Sequence, residues 1–326
     1  MADLRYGAAI SQALTDAMAE DPSVIVMGED IGGAGGSFGI TRGLLDKFGP
    51  ERVIDTPISE AAIAGMAVGA AMSGLKPVLE IMFMDFVTLT MDALVNQAAK
   101  ARFMFGGQGS VPMVLRTPHG GGLSAGPQHS QCLEAWFAHV PGLKVVCPSG
   151  PANAYGLLRS AIADPDPVVF IEHKGLYAKK GPVPDVLTVI PLGQAATLRQ
   201  GDRVTVVSYG AAVALALAAA GQMADEGVSV EVIDLQTIQP WDETVVLASL
   251  AKTGHLVIVH EAVEAFGVGA EITARMADIG FAHLSGPIIR VGAPFMPVPF
   301  AAELEARYRP SVERVVTAIR KTLGKE

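Results

Sequence analysis

The sequence predicts an α/β protein built from two doubly wound domains, and three observations predict it. Short β-branched runs alternate with longer alanine-rich amphipathic segments, the pattern of parallel sheets covered by helices on both faces. The alternation lapses once, from Tyr177 to Gln200, where three prolines and no helical period mark a connecting segment, and then it resumes. The chain of 326 residues is 50% hydrophobic and only 17% charged, enough apolar material for two buried cores. The expected division is residues 1–180, a linker over 181–200, and residues 201–326.

In the first domain, strands are expected at Val24–Met27, Val53–Asp55, Lys76–Ile81, Val111–Arg116, Lys144–Cys147 and Val168–Glu172. Helices are expected between them at Tyr6–Glu20, Glu60–Ser73, Phe86–Arg102, Gln131–His139 and Ala152–Asp164. Ser149 or Gly150 can cap the last of these, with Pro151 in its first turn. The second domain reads as strand Val204–Ser208, helix Ala211–Glu226, strand Ser229–Asp234, helix Asp242–Thr253 and strand His255–His260. Helix Gly269–Ile279, strand Ile288–Val291, an extended GAPFMPVPF loop and helix Ser311–Leu323 complete it.

Composition removes several function classes. A net charge of -9 with no basic run argues against nucleic acid or an anionic membrane as partner. Cys132 and Cys147 have no metal-ligand or redox spacing and read as reduced, buried thiols. The acidic beginning has neither a signal nor a transit pattern, which points to the cytoplasm. The uncharged stretch Val204–Met223 is broken by Ser208-Tyr209-Gly210, so it reads as a strand, a turn and a helix rather than a membrane span. There is no phosphate-loop motif, Gly32-Gly33-Ala34-Gly35-Gly36 lacks dinucleotide spacing, and His260-Glu261 lacks a second zincin histidine. Gly122-Leu123-Ser124-Ala125-Gly126 satisfies a hydrolase nucleophile motif, but the long loose connection before it is no strand-to-helix elbow.

Three pieces carry chemistry. Asp55-Thr56-Pro57-Ile58-Ser59-Glu60 ends a strand and opens a helix of small residues, which places a carboxylate at the carboxyl edge of the sheet, where such folds bind ligands. Glu60 equally suits a first-turn acid answering the helix dipole. The glycine-rich loop Gly120–Gln131 carries His129, whose side chain suits proton transfer or a structural hydrogen bond. Glu80–Phe86 closes another strand at the same edge with Phe83 and Phe86, rings able to stack on a planar heterocycle or to fill the core.

These segments, with AGPQHSQCLEAWFAHVPGLKVVCPS (Ala125–Ser149), AIADPDPVVFIEH (Ala161–His173) and HEAVEAFGVGAEI (His260–Ile272), resemble the β subunit of thiamine-diphosphate-dependent 2-oxo acid dehydrogenases from about Tyr6 to Leu323. The resemblance implies a transketolase-like pyrimidine-binding domain followed by a transketolase carboxy-terminal domain. It implies that Glu60 hydrogen-bonds the cofactor's aminopyrimidine and drives deprotonation of the thiazolium carbon, that His129 donates a proton and orients substrate and lipoyl sulfur, and that Phe86 stacks on the pyrimidine. Glu29 and Ile58 join Glu60 and Phe86 in binding the cofactor, Glu29 as part of an acidic chain linking paired sites or as a solvated loop acid. Leu89 stands where some relatives have an acid or amide, which interrupts a full proton relay. A potassium site is implied at Met113, Ala161, Ile162, Asp164 and Asp166, the last replacing an amide of relatives.

Thiamine-diphosphate enzymes anchor magnesium and diphosphate with Gly-Asp-Gly followed about thirty residues later by Asn. This chain has no Gly-Asp-Gly, and its asparagines are Asn96 and Asn153, neither suitably placed. The resemblance therefore implies an α subunit that supplies magnesium and the diphosphate half, a heterotetramer of two α and two β chains with a β–β contact, and a lipoyl-bearing acyltransferase core as acceptor. The substrate would be pyruvate, a branched-chain 2-oxo acid or acetoin. The other readings are a transketolase or deoxyxylulose-phosphate synthase fragment, disfavoured because those carry both cofactor halves, and a catalytically silent assembly or docking subunit.

Overall fold

A computed structural model describes residues 2–325, which fall into two compact units. The first unit comprises the chain up to His119 together with Trp136–Leu192; the second comprises Gly120–Ala135 together with everything from Gly193 onward. The loop that carries His129 therefore belongs to the second unit, although in sequence it is embedded in the first.

Six strands of the first unit run parallel in the spatial order Lys144–Val146, Val168–His173, Val114–His119, Lys76–Glu80, Val24–Glu29, Val53–Thr56. The chain leaves Val24–Glu29 toward one side, to Val53–Thr56, and returns to Lys76–Glu80 on the other side. Strand order thus reverses around Val24–Glu29, and in open α/β sheets the crevice outside the carboxyl ends at such a reversal receives ligands. Gly28 sits level with both Asp55 and Glu80. A Cβ there would lie 2.6 Å from the Glu80 carbonyl oxygen, so the close approach requires glycine. The outer helix Tyr6–Glu20 packs on Pro151–Ala163, with Ile10, Leu14, Leu157 and Leu158 fully buried. Each of these side chains contributes about 1.5–3 kcal/mol of apolar burial. Pro151 begins its helix as expected, and the Asn153 side-chain oxygen accepts the Gly150 N–H at 2.9 Å.

In the second unit the strand order is Ile289–Ala293, Leu256–Val263, Val204–Ser208, Val230–Asp234, Ala196–Arg199, the first four parallel and the last antiparallel. Helices Ala212–Asp225 and Val312–Thr322 seal its core through Ala216, Ala219, Ala220, Val315 and Ile319. Val204–Met223 forms a strand, a turn and part of a helix, and among the described residues no helix is long and apolar enough to cross a membrane.

Three expectations are revised. The single helix expected at Phe86–Arg102 is instead a tight 3₁₀ turn at Met84–Thr90, a widened π turn at Asp92–Ala98 and an α-helical turn at Ala99–Met104. The hydroxyls of Thr88 and Thr90 donate to carbonyls three residues back, at 3.0 and 2.7 Å, and Asp92 accepts from Asn96 and Gln97, contacts the apolar period does not report. The segment expected as linker contains two strands. Lys180–Val183 pairs antiparallel with Ala2–Arg5 in the first unit, and Ala196–Arg199 forms the edge of the second sheet. Cys147 is buried as expected, but Cys132 is only half-buried.

The strands Val24–Glu29, Val114–His119 and Val168–His173 are buried along their length, yet the sheet encloses charge. Arg116 is fully buried and grips Glu172 through two hydrogen bonds of 2.7 and 2.9 Å and Glu80 through a third of 2.9 Å. The Tyr177 hydroxyl donates to Glu172 at 2.6 Å, and burial pushes that phenol well above its ordinary pKa. Burial also raises the Glu80 carboxyl, with the Arg116 charge working against the rise. Removing one member of such a set strands the others without solvent. Arg116→Leu is expected to lower unfolding free energy by about 3–5 kcal/mol. A denaturant titration followed by circular dichroism checks this, and a loss below about 1 kcal/mol contradicts it.

Candidate active site

Glu60 begins the helix Glu60–Met72 and is only 7% exposed. Among the described residues its carboxylate has neither a hydrogen-bond donor from another side chain nor a counter-ion. Glu29, at the end of the central strand and 3% exposed, lies beside it and accepts the Ser59 N–H through Oε1 at 3.2 Å. Burial raises the Glu29 carboxyl above its ordinary pKa, the negative charge of Glu60 raises it further, and the Ser59 N–H partly offsets both. Thr56, level with Glu29 in the sheet, keeps a buried hydroxyl with no hydrogen-bond partner. Two adjacent acids and an unsatisfied hydroxyl at a strand-order reversal mark a ligand site rather than a structural pair. They also fit an aminopyrimidine, a flat heterocycle that offers both donors and acceptors.

The glycine cluster 32–36 is a fixed turn rather than a flexible loop. The Gly32 N–H donates to Asp55 Oδ1 at 2.6 Å, the Gly36 N–H to the Asp30 carbonyl at 2.8 Å, and the Thr41 hydroxyl to the Ile31 carbonyl at 2.7 Å. A Cβ on Gly36 would come within 2.7 Å of Glu80 Oε1, so the turn caps the two central strands only because it lacks side chains. Beyond it, Phe38, Phe83 and Phe86 form an edge-to-face series with centroids 5.9 and 6.0 Å apart. Lys174 lies 5.4 Å over the Phe83 ring. Phe86 remains half-buried, and its turn packs against the Glu60 helix. Phe83 thus packs against both Phe38 and Phe86.

His129 is half-buried in the second unit, its N–H turned back to the Gly126 carbonyl at 3.4 Å. The loop ahead of it is anchored on carboxylates: Glu261 Oε1 accepts the Gly121 N–H at 2.6 Å, and Glu305 accepts the N–H groups of Gly122 and Ser124 at 2.8 and 3.0 Å. Ser124 lies in an exposed, left-handed turn with its N–H committed to Glu305, so the nucleophile-like motif forms no elbow. A cavity of about 440 Å³ borders the loop, lined by Pro127, Gln131, Leu133, Val263, Phe295 and Tyr308 among others.

The remaining expected residues behave differently. Ile58 is 81% exposed, two residues before Glu60, and presents apolar surface to solvent. Met113, Ala161 and Ile162 are buried, and the Met113 and Ala161 carbonyls accept the amides of Val168 and Asp164. Both Asp164 oxygens accept from Lys144 Nζ at 2.6 Å, and Asp166 is paired with Arg102 at 2.5 Å. The protein's own cations already pair with these carboxylates. Sequence reasoning missed Glu80, Arg116 and Glu172 under the site and Glu261 and Glu305 under the histidine loop. The available signal was charge within otherwise apolar strands, in VLE, VLR and FIE.

Two doubly wound α/β units, the first with an acid at its strand-order reversal, define a transketolase-type protein. Residues 2–180 match the transketolase pyrimidine-binding domain and residues 193–315 match the transketolase C-terminal domain. Within that class, the chain belongs to the family of pyruvate dehydrogenase E1 and acetoin dehydrogenase β subunits. It is 45% identical over 317 residues to pyruvate dehydrogenase E1 component subunit beta-2, mitochondrial, of Oryza sativa subsp. japonica, covering 96% of this chain and 84% of that protein. It is 46% identical over 325 residues to the acetoin:2,6-dichlorophenolindophenol oxidoreductase subunit beta of Cupriavidus necator, covering 97% and 96%. The corresponding Bacillus subtilis subunit is 44% identical over 328 residues, again covering 97% and 96%. A solved structure described as a split-gene transketolase, inactive beta4 tetramer, aligns with TM-score 0.79 over 97% of each chain at 22% identity, a likeness of fold. The family depends on thiamine diphosphate.

The acid pair yields a pH test. Because Glu29 is easier to protonate folded than unfolded, its contribution to stability falls as pH rises through the ordinary carboxylate range toward its raised folded value, and at neutral pH the ionised Glu29 is a net cost. Glu60→Gln removes the neighbouring charge and is expected to move the Glu29 titration down, with no loss of melting temperature at pH 7. Carboxyl-carbon NMR of labelled glutamate checks the first and calorimetry the second; an unmoved Glu29 titration contradicts the coupling.

Proposed function

We propose that this chain is the β subunit of a thiamine-diphosphate-dependent dehydrogenase component, active with an α subunit in an assembly of two α and two β chains. The reaction is decarboxylation of a 2-oxo acid such as pyruvate, or cleavage of acetoin, with the acyl group passed to a lipoyl arm on an acyltransferase core. The observation that carries this reading is the buried carboxylate of Glu60, held beside Glu29 without a counter-ion among the described residues. Membership of a family containing pyruvate dehydrogenase E1 and acetoin dehydrogenase β subunits supports it.

When bound, thiamine diphosphate supplies a nucleophilic carbon and an electron sink for the carbon–carbon bond that breaks. Glu60 holds a proton at a ring nitrogen of the aminopyrimidine, a position from which a carboxylate shifts the ring between its tautomers. Glu29, whose carboxyl is raised by burial and by the neighbouring Glu60 charge, shares the proton balance of the pair. Phe86 offers its half-buried ring for stacking, and His129 acts as proton donor to the substrate oxygen or lipoyl sulfur. The magnesium and diphosphate ligands come from the α subunit, because this chain lacks Gly-Asp-Gly and a suitably placed asparagine.

Adding thiamine diphosphate and magnesium to the chain alone is expected to give no tight complex, whereas adding an α-type subunit should give both binding and 2-oxo acid or acetoin-dependent reduction of dichlorophenolindophenol. Glu60→Gln in that assembly should reduce turnover by at least about 100-fold, in the range general acid–base groups contribute. Tight cofactor binding by the lone chain, or wild-type turnover in Glu60→Gln, contradicts the assignment. Assembly without activity would identify a silent docking subunit instead.

A further inference from the structure

We propose that Glu305, assisted by Glu261 and Arg309, is the positioning residue of the histidine loop: it fixes the backbone that sets where His129 stands. The proposal rests on the catalytic reading of His129 and assigns the geometry behind it. Glu305 lies on the short helix Ala302–Tyr308 and is 3% exposed. One of its oxygens accepts the Gly122 N–H at 2.8 Å and the other the Ser124 N–H at 3.0 Å. Glu261, at the end of the strand Leu256–Val263, accepts the Gly121 N–H at 2.6 Å, and its second oxygen accepts from the Arg309 guanidinium at 3.1 Å. Two buried acids are thus committed to three backbone donors of one loop, charge-assisted hydrogen bonds that offset the desolvation of the carboxylates and hold the loop backbone.

The loop backbone is shaped to meet them. Gly122 has φ +98°, and a Cβ there would lie 2.6 Å from an Arg309 nitrogen; Gly126 has φ +74°, and a Cβ there would lie 2.2 Å from the Phe300 ring. Ser124 takes φ +54° between them, a left-handed value uncommon for a residue with a side chain. From the point pinned by Phe300, one turn closed by the His129 N–H on the Gly126 carbonyl leads to the histidine. Anchor and histidine are therefore separated by Ala125 and a single turn, so displacing Glu305 displaces His129.

The test uses the chain assembled with its α subunit. An amide at position 305 can accept only one of the two N–H groups, so Glu305→Gln is expected to speed amide hydrogen exchange over residues 121–126 by at least about tenfold. It should also lower kcat for acyl transfer to a lipoylated domain by about 10–100-fold, with KM within about twofold. Combined with His129→Ala, it should cost nothing further, because a positioned group that is gone cannot be mispositioned. Glu261→Gln provides a second variant with the same expectations should the first fold poorly. Unchanged exchange in the loop, or losses that multiply in the double variant, overturn the proposal. Wild-type acyl transfer in His129→Ala would overturn the catalytic reading itself and with it any positioning role, and the exchange measurement, which does not depend on activity, separates that failure from an intact clamp.

Discussion

Glu60 stands at the head of a helix, in a crevice largely closed to water, with no cation beside it among the described residues. Much of the first unit follows from that constraint. The helix start offers its dipole to the carboxylate, the strand-order reversal opens the crevice, and the charge of Glu60 adds to burial in raising the Glu29 carboxyl alongside.

The charged set beneath the sheet surface has the opposite character. Arg116 is matched by Glu80 and Glu172 with short, directional hydrogen bonds, and Tyr177 completes the Glu172 carboxylate. These groups satisfy one another and orient the strand ends and the glycine turn above Glu80. The same distinction separates Asp164 and Asp166, each paired with a basic side chain, from the Glu29 and Glu60 pair. The matched charges belong to the scaffold, and the unmatched acid pair is where the proposed chemistry lies.

The second unit holds the histidine loop in place. Its glycine loop has left-handed residues at Gly122, Ser124 and Gly126, and its backbone donors are held by Glu261 and Glu305, residues far along the chain. A loop with so few side chains has little packing of its own and would otherwise sample many conformations. The carboxylates supply the order that the glycines cannot.

The sequence by itself determined the two α/β units, the position of most strands and helices, the placement of Glu60 at a helix start, and the family through Asp55–Glu60 and the His129 segment. These are local properties: hydrophobic period, caps and short motifs survive in one dimension. It misread Phe86–Arg102, because threonine hydroxyls bonding their own backbone tighten a turn without disturbing the apolar spacing. Tertiary structure alone decided that Glu29 and Glu60 are neighbours, that Asp164 is answered by Lys144, that Arg116 joins three strands, and that the histidine loop packs with the second unit under Glu261 and Glu305. Those pairings span up to about 180 residues of chain, as between Gly122 and Glu305, and no local spacing encodes which buried acid meets which donor.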